Sequence, residues 1–201
     1  MKTILCIDTA SERFALALDT DGEVRSFEST EPQEHTRQLL PAIQTLLGDT
    51  APDAILAVIG PGAYAGIRVG LATAEGLAVA RDIPVYGIGT LEAAAIAVAA
   101  EGPITIIHPA GRGEFAAQPF ESGSPAGNLA LLTPEQLRQP FAGQGAGAIG
   151  GVEVTPLQRC LAALADRAPR IRAGQLDEGA EPFYLREPSI TVSRRLRTTA
   201  S

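Results

Sequence analysis

The chain carries a glycine-rich segment between an apolar run and a helix-length pattern, an arrangement that can hold a phosphate group. Residues 55–59 are all apolar, Gly60-Pro61-Gly62 follows them, and residues 66–80 then carry apolar side chains at helical spacing. Backbone N–H groups at a helix N-terminus bind anions. The glycines are spaced G-x-G-x-x-x-G, however, and no Lys-Ser or Lys-Thr pair follows, so neither common phosphate-loop pattern is met. We favour a tight turn that enters a closely packed helix, with nucleotide binding as the alternative.

Asp8 and Thr9 follow the first apolar run of the chain and are candidates for a residual nucleotide contact. The turn that they enter, Ala10-Ser11, contains no glycine that would let a phosphate approach the backbone. Aspartate is also a frequent capping residue of turns, and we favour that role for Asp8. On this interpretation Asp8→Ala is expected to have only modest consequences for folding.

The two histidines, His35 and His108, are the candidate metal ligands. A single imidazole without a neighbouring cysteine, histidine or cluster of carboxylates makes a poor metal site, so we predict no metal. The sequence contains no Gly-x-Ser-x-Gly, no His-Glu-x-x-His and no cysteine with a protease-type flanking pattern. We therefore predict that the chain has no catalytic residue set and no cofactor of its own.

The helix predicted after the glycine turn carries an unusual stripe of small residues. Gly66, Gly70, Ala74 and Ala78 recur every four residues, beside an apolar face that includes Ile67 and Leu71. Glycine in a helix interior costs roughly 0.5–1 kcal/mol relative to alanine. The stripe therefore predicts that another segment, most simply a second helix, approaches this helix closely.

Composition limits both the class of protein and its location. At 201 residues and 45% hydrophobic, the chain can bury one sizeable core or two small ones. A net charge of −7 excludes a protein whose main task is to grip a phosphate backbone alone. Cys6 and Cys160 are too few for a disulfide framework. With no room for a signal peptide and no apolar run of membrane-spanning length, we predict a cytoplasmic protein without a membrane partner.

The sequence predicts the order of the strands and helices that position these residues. The first hundred residues are predicted to form strands at 4–9, 14–19, 23–28, 55–59 and 84–88, and helices at 34–47, 66–80 and 90–100. Pro41 should kink the first helix. The opening meander implies antiparallel pairing and the helical crossovers imply parallel pairing, so the sheet should be mixed.

This order is typical of the actin-like, RNase H-like (ASKHA) α/β fold. We predict such a domain at residues 1–100 and a smaller, degenerate α/β domain at residues 101–188. The second domain should contain strands near 104–108 and 114–120, a glycine-rich loop at 143–151 and a helix that starts at Thr155-Pro156. Residues 189–201 are expected to be a flexible, arginine-rich tail.

Four segments together resemble the bacterial TsaB (YeaZ) proteins, partners in making threonylcarbamoyladenosine (t6A) on tRNA. The segments are ILCIDTA at 4–10, HTRQLLP at 35–41, GPGAYAGIRVG at 60–70 and EPFYLREP at 181–188. The third is similar to the family's Gly-Pro-Gly-Ser-Phe-Thr-Gly-Leu-Arg-Ile-Gly. Ala63 and Ala65 stand where the family usually carries Ser and Thr, so this loop has no hydroxyl that could act as a nucleophile.

The resemblance implies a non-catalytic subunit that holds and activates the TsaD transferase, joined by the TsaE ATPase. It also implies that ATP and metal sit on the partner subunits, that tRNA is met through the complex, and that the isolated chain forms a homodimer. We expect the contact to be a four-helix arrangement. The predicted interface residues are His35, Leu39, Leu40, Ile43, Gly66, Ile67, Arg68, Gly70, Leu71, Ala74 and Ala78.

Two other functions stay open from the sequence. One is an ATP-dependent enzyme of the actin-like class, in which Asp8 would bind magnesium. The other is a glycoprotease-like (M22-type) peptidase, a label given to relatives of this fold. Arg186, Arg194, Arg195 and Arg197 near the C-terminus offer a further contact with RNA phosphate, although a solvated tail is the simpler interpretation.

Overall fold

The computed structural model describes residues 2–177 and 179–185 and contains two β-sheets with helices packed around them. The first sheet is mixed and has the strand order β3-β2-β1-β4-β5. Its strands are β1 (Thr3–Asp8), β2 (Ala15–Thr20), β3 (Glu23–Glu28), β4 (Ala54–Val58) and β5 (Val85–Ile88). The first three strands pair antiparallel, and β4 pairs in parallel with both β1 and β5. The predicted meander and mixed sheet are therefore confirmed.

Three helices connect or follow these strands: α1 (His35–Leu47), α2 (Tyr64–Arg81) and α3 (Thr90–Val98). Pro41 lies inside α1 without dividing it into two elements. The apolar faces of α1 and α2 cover one face of the sheet, in a core that includes Leu5, Ile43 and Ala74. Burial of these side chains is what makes a short amphipathic helix stable in water.

The second sheet has the strand order β11-β10-β6-β7-β8, with β9 paired to β7. Its long hairpin is β6 (Ile104–Gly111) and β7 (Glu114–Glu121), and its short strands are β8 (Ser124–Pro125), β9 (Ala130–Leu132), β10 (Phe141–Gly143) and β11 (Val152–Glu153). The predicted strands at 104–108 and 114–120 correspond to the hairpin. The glycine-rich run 143–151 is a loop that contains one 3-10 turn at Gly147–Ile149.

Helix α4 (Pro156–Arg172) follows the second sheet in sequence and packs on the first sheet. Thr155 caps it, since its hydroxyl accepts a hydrogen bond from the Gln158 N–H at 3.2 Å and its own N–H donates to Gln158 Oε1 at 2.8 Å. The buried face of α4 shares a core with Cys6 and Ala17 of the first sheet. The boundary near residue 100 stays a prediction, but α4 places a helix from the second segment on the first sheet.

No helix in the part of the chain that the structure describes is long and apolar enough to cross a bilayer.

Candidate functional site

The glycine turn at 60–62 lies directly against the turn that follows β1. The Ala63 N–H donates to the Ala10 carbonyl at 2.7 Å, and a Cβ on Gly62 would overlap that carbonyl oxygen and lie 2.9 Å from the Ala10 Cβ. Side chains are thus excluded at Gly62 because two backbone segments cross there. This contact explains the glycine without any ligand.

The two glycines in the small-residue stripe of α2 lie against the same turn. A Cβ on Gly66 would overlap the Thr9 carbonyl oxygen, and a Cβ on Gly70 would overlap Thr9 Oγ1. The predicted close approach is real: Thr9 makes it at both glycines, and His35 of α1 would lie 3.5 Å from a Cβ on Gly66. The predicted contact with a helix of a partner stays a prediction. Glycine spacing reports that a backbone or side chain comes near the helix, and it carries no information about which segment does so.

This packing predicts that Gly70→Leu destabilises the fold. A leucine would have to displace Thr9 from a fully packed site, which costs about 1–3 kcal/mol by overpacking. The measurement is urea unfolding, with Gly76→Leu as the matched control because a Cβ at Gly76 meets nothing within 4 Å. Equal midpoints for Gly70→Leu and the wild-type chain would contradict the contact with Thr9.

Asp8 at the end of β1 forms a buried ion pair with Arg159 of α4. Arg159 Nε donates to Asp8 Oδ2 at 2.8 Å, and both side chains are fully buried. The other Asp8 oxygen, Oδ1, accepts the Ala10 N–H at 3.0 Å, which confirms the predicted turn-capping role. A guanidinium therefore neutralises the carboxylate at the position where an actin-like ATPase would hold magnesium.

Arg159 also ties the two sheets together. Its Nη2 donates to Ser11 Oγ at 2.7 Å, and its Nη1 donates to Gln144 Oε1 at 3.0 Å. Ser11 itself donates to Gln144. Ser11 lies just after β1 of the first sheet, and Gln144 lies just after β10 of the second sheet. The Arg159 side chain therefore bridges the two sheets.

The sequence analysis missed Arg159, although a signal for it exists. It occupies a buried position of α4 between Pro156 and Cys160, on the face that otherwise carries apolar residues. An arginine at such a position requires a buried partner, because an unpaired charge in a core is very costly. The sequence does not show that Asp8 is that partner.

The glycine-rich loop at 143–151 is filled from within the chain. The carboxylate of Glu153 accepts the N–H of Gly145 and the N–H of Gly147, each at 2.9 Å. These two donors are the groups with which such a loop would hold a phosphate. The interpretation of this run as a structural loop is therefore favoured over phosphate binding.

A cleft of about 910 Å³ opens beside these groups and is lined by Ser11, Tyr64, His108, Gln144 and Glu153, among others. The Asp8–Arg159 pair lies beneath it, with both side chains completely buried. The cleft therefore presents an internally bonded carboxylate, that of Glu153, and has a neutralised, buried ion pair beneath it.

Both histidines are buried and poorly suited to hold a metal. His108 Nε2 donates to the Ala10 carbonyl at 3.2 Å, and its Nδ1 has no partner in the described residues. Burial, aided by the nearby Arg159 charge, lowers the pKa of His108 to about 3. Burial also lowers the pKa of His35. Within residues 2–177 and 179–185, no three His, Cys, Asp or Glu side chains form a metal-binding group.

The segment at 179–185, which we call the C-terminal strap, runs beside the glycine turn. Its Gly179 N–H donates to the Val85 carbonyl and its Phe183 N–H donates to the Ile59 carbonyl, both at 2.8 Å. The ring of Tyr184 lies 4.8 Å from the ring of Tyr64 at the start of α2. The third and fourth signature segments of the sequence are thus in contact. The predicted arginine contacts at 186–197 lie outside the described residues.

The predicted interface residues divide into a large buried group and a small exposed one. Leu40 is 50% exposed and Arg68 is also exposed. The rest are buried in the chain's own packing: His35, Leu39, Ile43, Gly66, Ile67, Gly70, Leu71, Ala74 and Ala78. The outward face of α2 instead presents Ala65, Ala72, Gly76 and Val79, the last being 85% exposed.

Comparisons with known proteins match this chain to a TsaD family model and to proteins named TsaB. A family model described as TsaD, tRNA N6-adenosine threonylcarbamoyltransferase, matches residues 29–131. The protein named tRNA threonylcarbamoyladenosine biosynthesis protein TsaB from Escherichia coli is 40% identical over 93 residues, which are 44% of this chain and 40% of that protein. The protein of the same name from Bacillus subtilis is 34% identical over 96 residues, 45% of this chain and 42% of that protein.

A solved structure extends the likeness beyond the first half of the chain. YeaZ from Pseudomonas aeruginosa superposes with a TM-score of 0.73 at 28% identity, and the match covers 92% of this chain and all of that chain. A second structure, of a Pseudomonas aeruginosa protein described as similar to peptidase YeaZ, superposes with a TM-score of 0.75 at 27% identity. The sequence matches, in contrast, span less than half the length of the curated relatives.

Proposed function

This chain belongs to the TsaB (YeaZ) family, and from that membership we propose that it takes part in forming threonylcarbamoyladenosine on tRNA. In this proposal the chain is a scaffold that binds and activates a TsaD-type transferase and performs no chemistry itself. The names of its relatives support the pathway. The buried Asp8–Arg159 pair supports the absence of catalysis, because Arg159 neutralises the carboxylate with which an actin-like ATPase would bind magnesium.

The observation that carries the scaffold proposal is the outward face of α2. Gly76 lies in the middle of an 18-residue helix, and a Cβ there would meet nothing within 4 Å. No contact among residues 2–177 and 179–185 explains this glycine, which lowers helix stability by about 1 kcal/mol relative to alanine. The small side chains of Ala72 and Gly76, on the exposed face that also carries Val79, permit a helix of another protein to approach closely.

The partners in this proposal follow from the same face. A TsaD-type protein shares the family model that matches this chain, so it can offer a related helix pair to α1 and α2. In the isolated chain the same surface would pair with a second copy. A TsaE-type ATPase would join the assembly and tRNA would be met through it. We place the protein in the cytoplasm, in keeping with two free, buried cysteines.

Gly76→Leu is expected to weaken binding to the TsaD-type partner at least tenfold and to lower t6A formation by the reconstituted proteins. The leucine would hold two helix backbones apart while leaving the monomer fold intact, since the site is open. The measurements are isothermal titration calorimetry with the purified partner, circular dichroism of the variant and quantification of t6A in tRNA.

The matched control is Ala165→Leu, which places the same side chain at an exposed position in the middle of α4. It should bind the partner like the wild-type chain. Wild-type affinity and wild-type t6A formation with Gly76→Leu would show that this face is not the contact surface.

An ATP-dependent enzyme and a peptidase fit the described site less well. The first would require Asp8 and the glycine-rich loop to be free for metal and phosphate, but Arg159 and Glu153 occupy them. The second would require an activated nucleophile beside the cleft. Ser11 Oγ, which lines the cleft, is instead held by Arg159 and Gln144 in a network without a histidine base.

A further inference from the structure

Arg68 stands out on α2 as an exposed charge held in a fixed place. It lies one helical turn before Ala72 and two turns before Gly76, so its Cα is on the outward face that we propose as the interface. Its guanidinium carbon lies 4.2 Å from the centre of the Tyr64 ring, and its Nε donates to the Tyr184 hydroxyl at 3.3 Å. Two tyrosines thus restrict the position of an otherwise mobile side chain.

The restrained guanidinium keeps its strongest binding groups free. Among residues 2–177 and 179–185, Arg68 forms no salt bridge, and its hydrogen bond to Tyr184 uses only Nε. The two Nη groups form the planar fork that binds a carboxylate through two parallel hydrogen bonds. Because the side chain is already ordered, less conformational entropy is lost when a ligand binds.

We propose that Arg68 is an anchor of the interface and receives an aspartate or glutamate carboxylate from the partner helix that faces α2. This inference rests on the proposed function and adds the chemistry of the contact. Arginine and tyrosine are enriched among the residues that dominate interface energies. Here Arg68, Tyr64 and Tyr184 form one cluster. The cluster predicts that the facing partner surface carries an acidic residue near the N-terminal end of α2.

The surroundings favour a protein carboxylate over an RNA phosphate. The neighbours of Arg68 on the outward face are Ala65, Ala72 and Gly76, and the exposed Glu75 is acidic. Binding to a phosphate backbone relies on several cations acting together, whereas the chain as a whole has a net charge of −7. One ordered arginine among small side chains, with the acidic Glu75 exposed nearby, fits a helix contact better than a phosphate-binding surface.

The test compares Arg68→Gln with Arg81→Gln, which removes the same charge from an exposed position at the other end of α2. Calorimetry with the TsaD-type partner should show a loss of affinity of about tenfold to a hundredfold for Arg68→Gln, the range for a hydrogen-bonded charge. Arg81→Gln should stay within about twofold of wild type because an exposed charge away from the contact contributes little. Arg68→Lys should recover only part of the affinity, since an ammonium group lacks the planar fork.

Three other outcomes would overturn the inference. Equal affinities for Arg68→Gln and Arg81→Gln, with Gly76→Leu still impaired, would remove Arg68 from the interface and leave the proposed function intact. Failure of the wild-type chain to bind the partner would overturn both. Loss of tRNA binding by the isolated Arg68→Gln chain, with partner affinity unchanged, would make Arg68 a phosphate ligand. Circular dichroism confirms in each case that the variants are folded.

Discussion

Arg159→Met is expected to lower the free energy of unfolding by about 3–5 kcal/mol, the range for breaking a buried ion pair on one side. Methionine is similar in length to arginine but carries no charge, so the Asp8 carboxylate is left unpaired in a site that water does not reach. It also removes the donors that hold Ser11 and Gln144. Urea unfolding at neutral pH, followed by circular dichroism, measures the loss.

Two companion variants separate the ion pair from simple packing. Asp8→Asn keeps an oxygen for the Ala10 N–H but removes the charge, and in combination with Arg159→Met it should recover part of the lost stability. Arg37→Met breaks the exposed pair with Glu34 and should change nothing measurable. If Arg159→Met and Arg37→Met unfold at the same urea concentration, the pair contributes no more than a surface contact.

This result also corrects an expectation from the sequence. The sequence predicts only modest consequences for folding from Asp8→Ala, because it indicates that Asp8 caps a turn and does not reveal an ion pair. The structure shows that Asp8→Ala would strand the Arg159 guanidinium in the core, so a loss comparable to that of Arg159→Met is expected.

Acid is expected to destabilise the fold well before its carboxylates titrate. His108 is buried and its pKa is lowered to about 3 by that burial and by the Arg159 charge, whereas an unfolded histidine titrates near pH ~6.5. Between pH ~6.5 and about 3, His108 therefore binds a proton in the unfolded chain but stays neutral in the folded chain. Stability falls as the pH drops from about 6.5 towards 3, by about 2 kcal/mol at pH 5 from this residue alone.

His108→Gln isolates this contribution, because an amide can still donate to the Ala10 carbonyl but does not titrate. Unfolding free energies at pH 7 and pH 5 should differ by about 2 kcal/mol more in the wild-type chain than in the variant. His35 shifts in the same direction through its own burial, so it adds to the slope of both proteins. Identical slopes would mean that His108 titrates normally in the folded protein.

The first sheet was predictable because its signals are local. Its apolar runs and the Asp21-Gly22 turn between β2 and β3 each act within a few residues, and the structure contains the corresponding strands. The Thr155 capping box of α4 is a local signal of the same kind. Proline within α1 was also visible, although the helix continues through it.

The site was less predictable because its contacts join distant residues. Asp8 and Arg159 are 151 positions apart, and nothing in either local pattern identifies the other. The glycines of α2 indicated close approach but not the Thr9 turn that makes it. Most of the predicted interface residues are buried in the monomer, and our proposal places the contact on the exposed face on the other side of α2.

The contact between the α2 start and the C-terminal strap has a consequence for synthesis. Arg68 and Tyr184 are 116 positions apart, so a ribosome working at about 5–20 residues per second makes the second about 6–23 seconds after the first. During that interval the glycine turn has no strap over it, and Arg68 has only Tyr64 to restrain it. The proposed interface therefore reaches its final form only after residue 184 has been made.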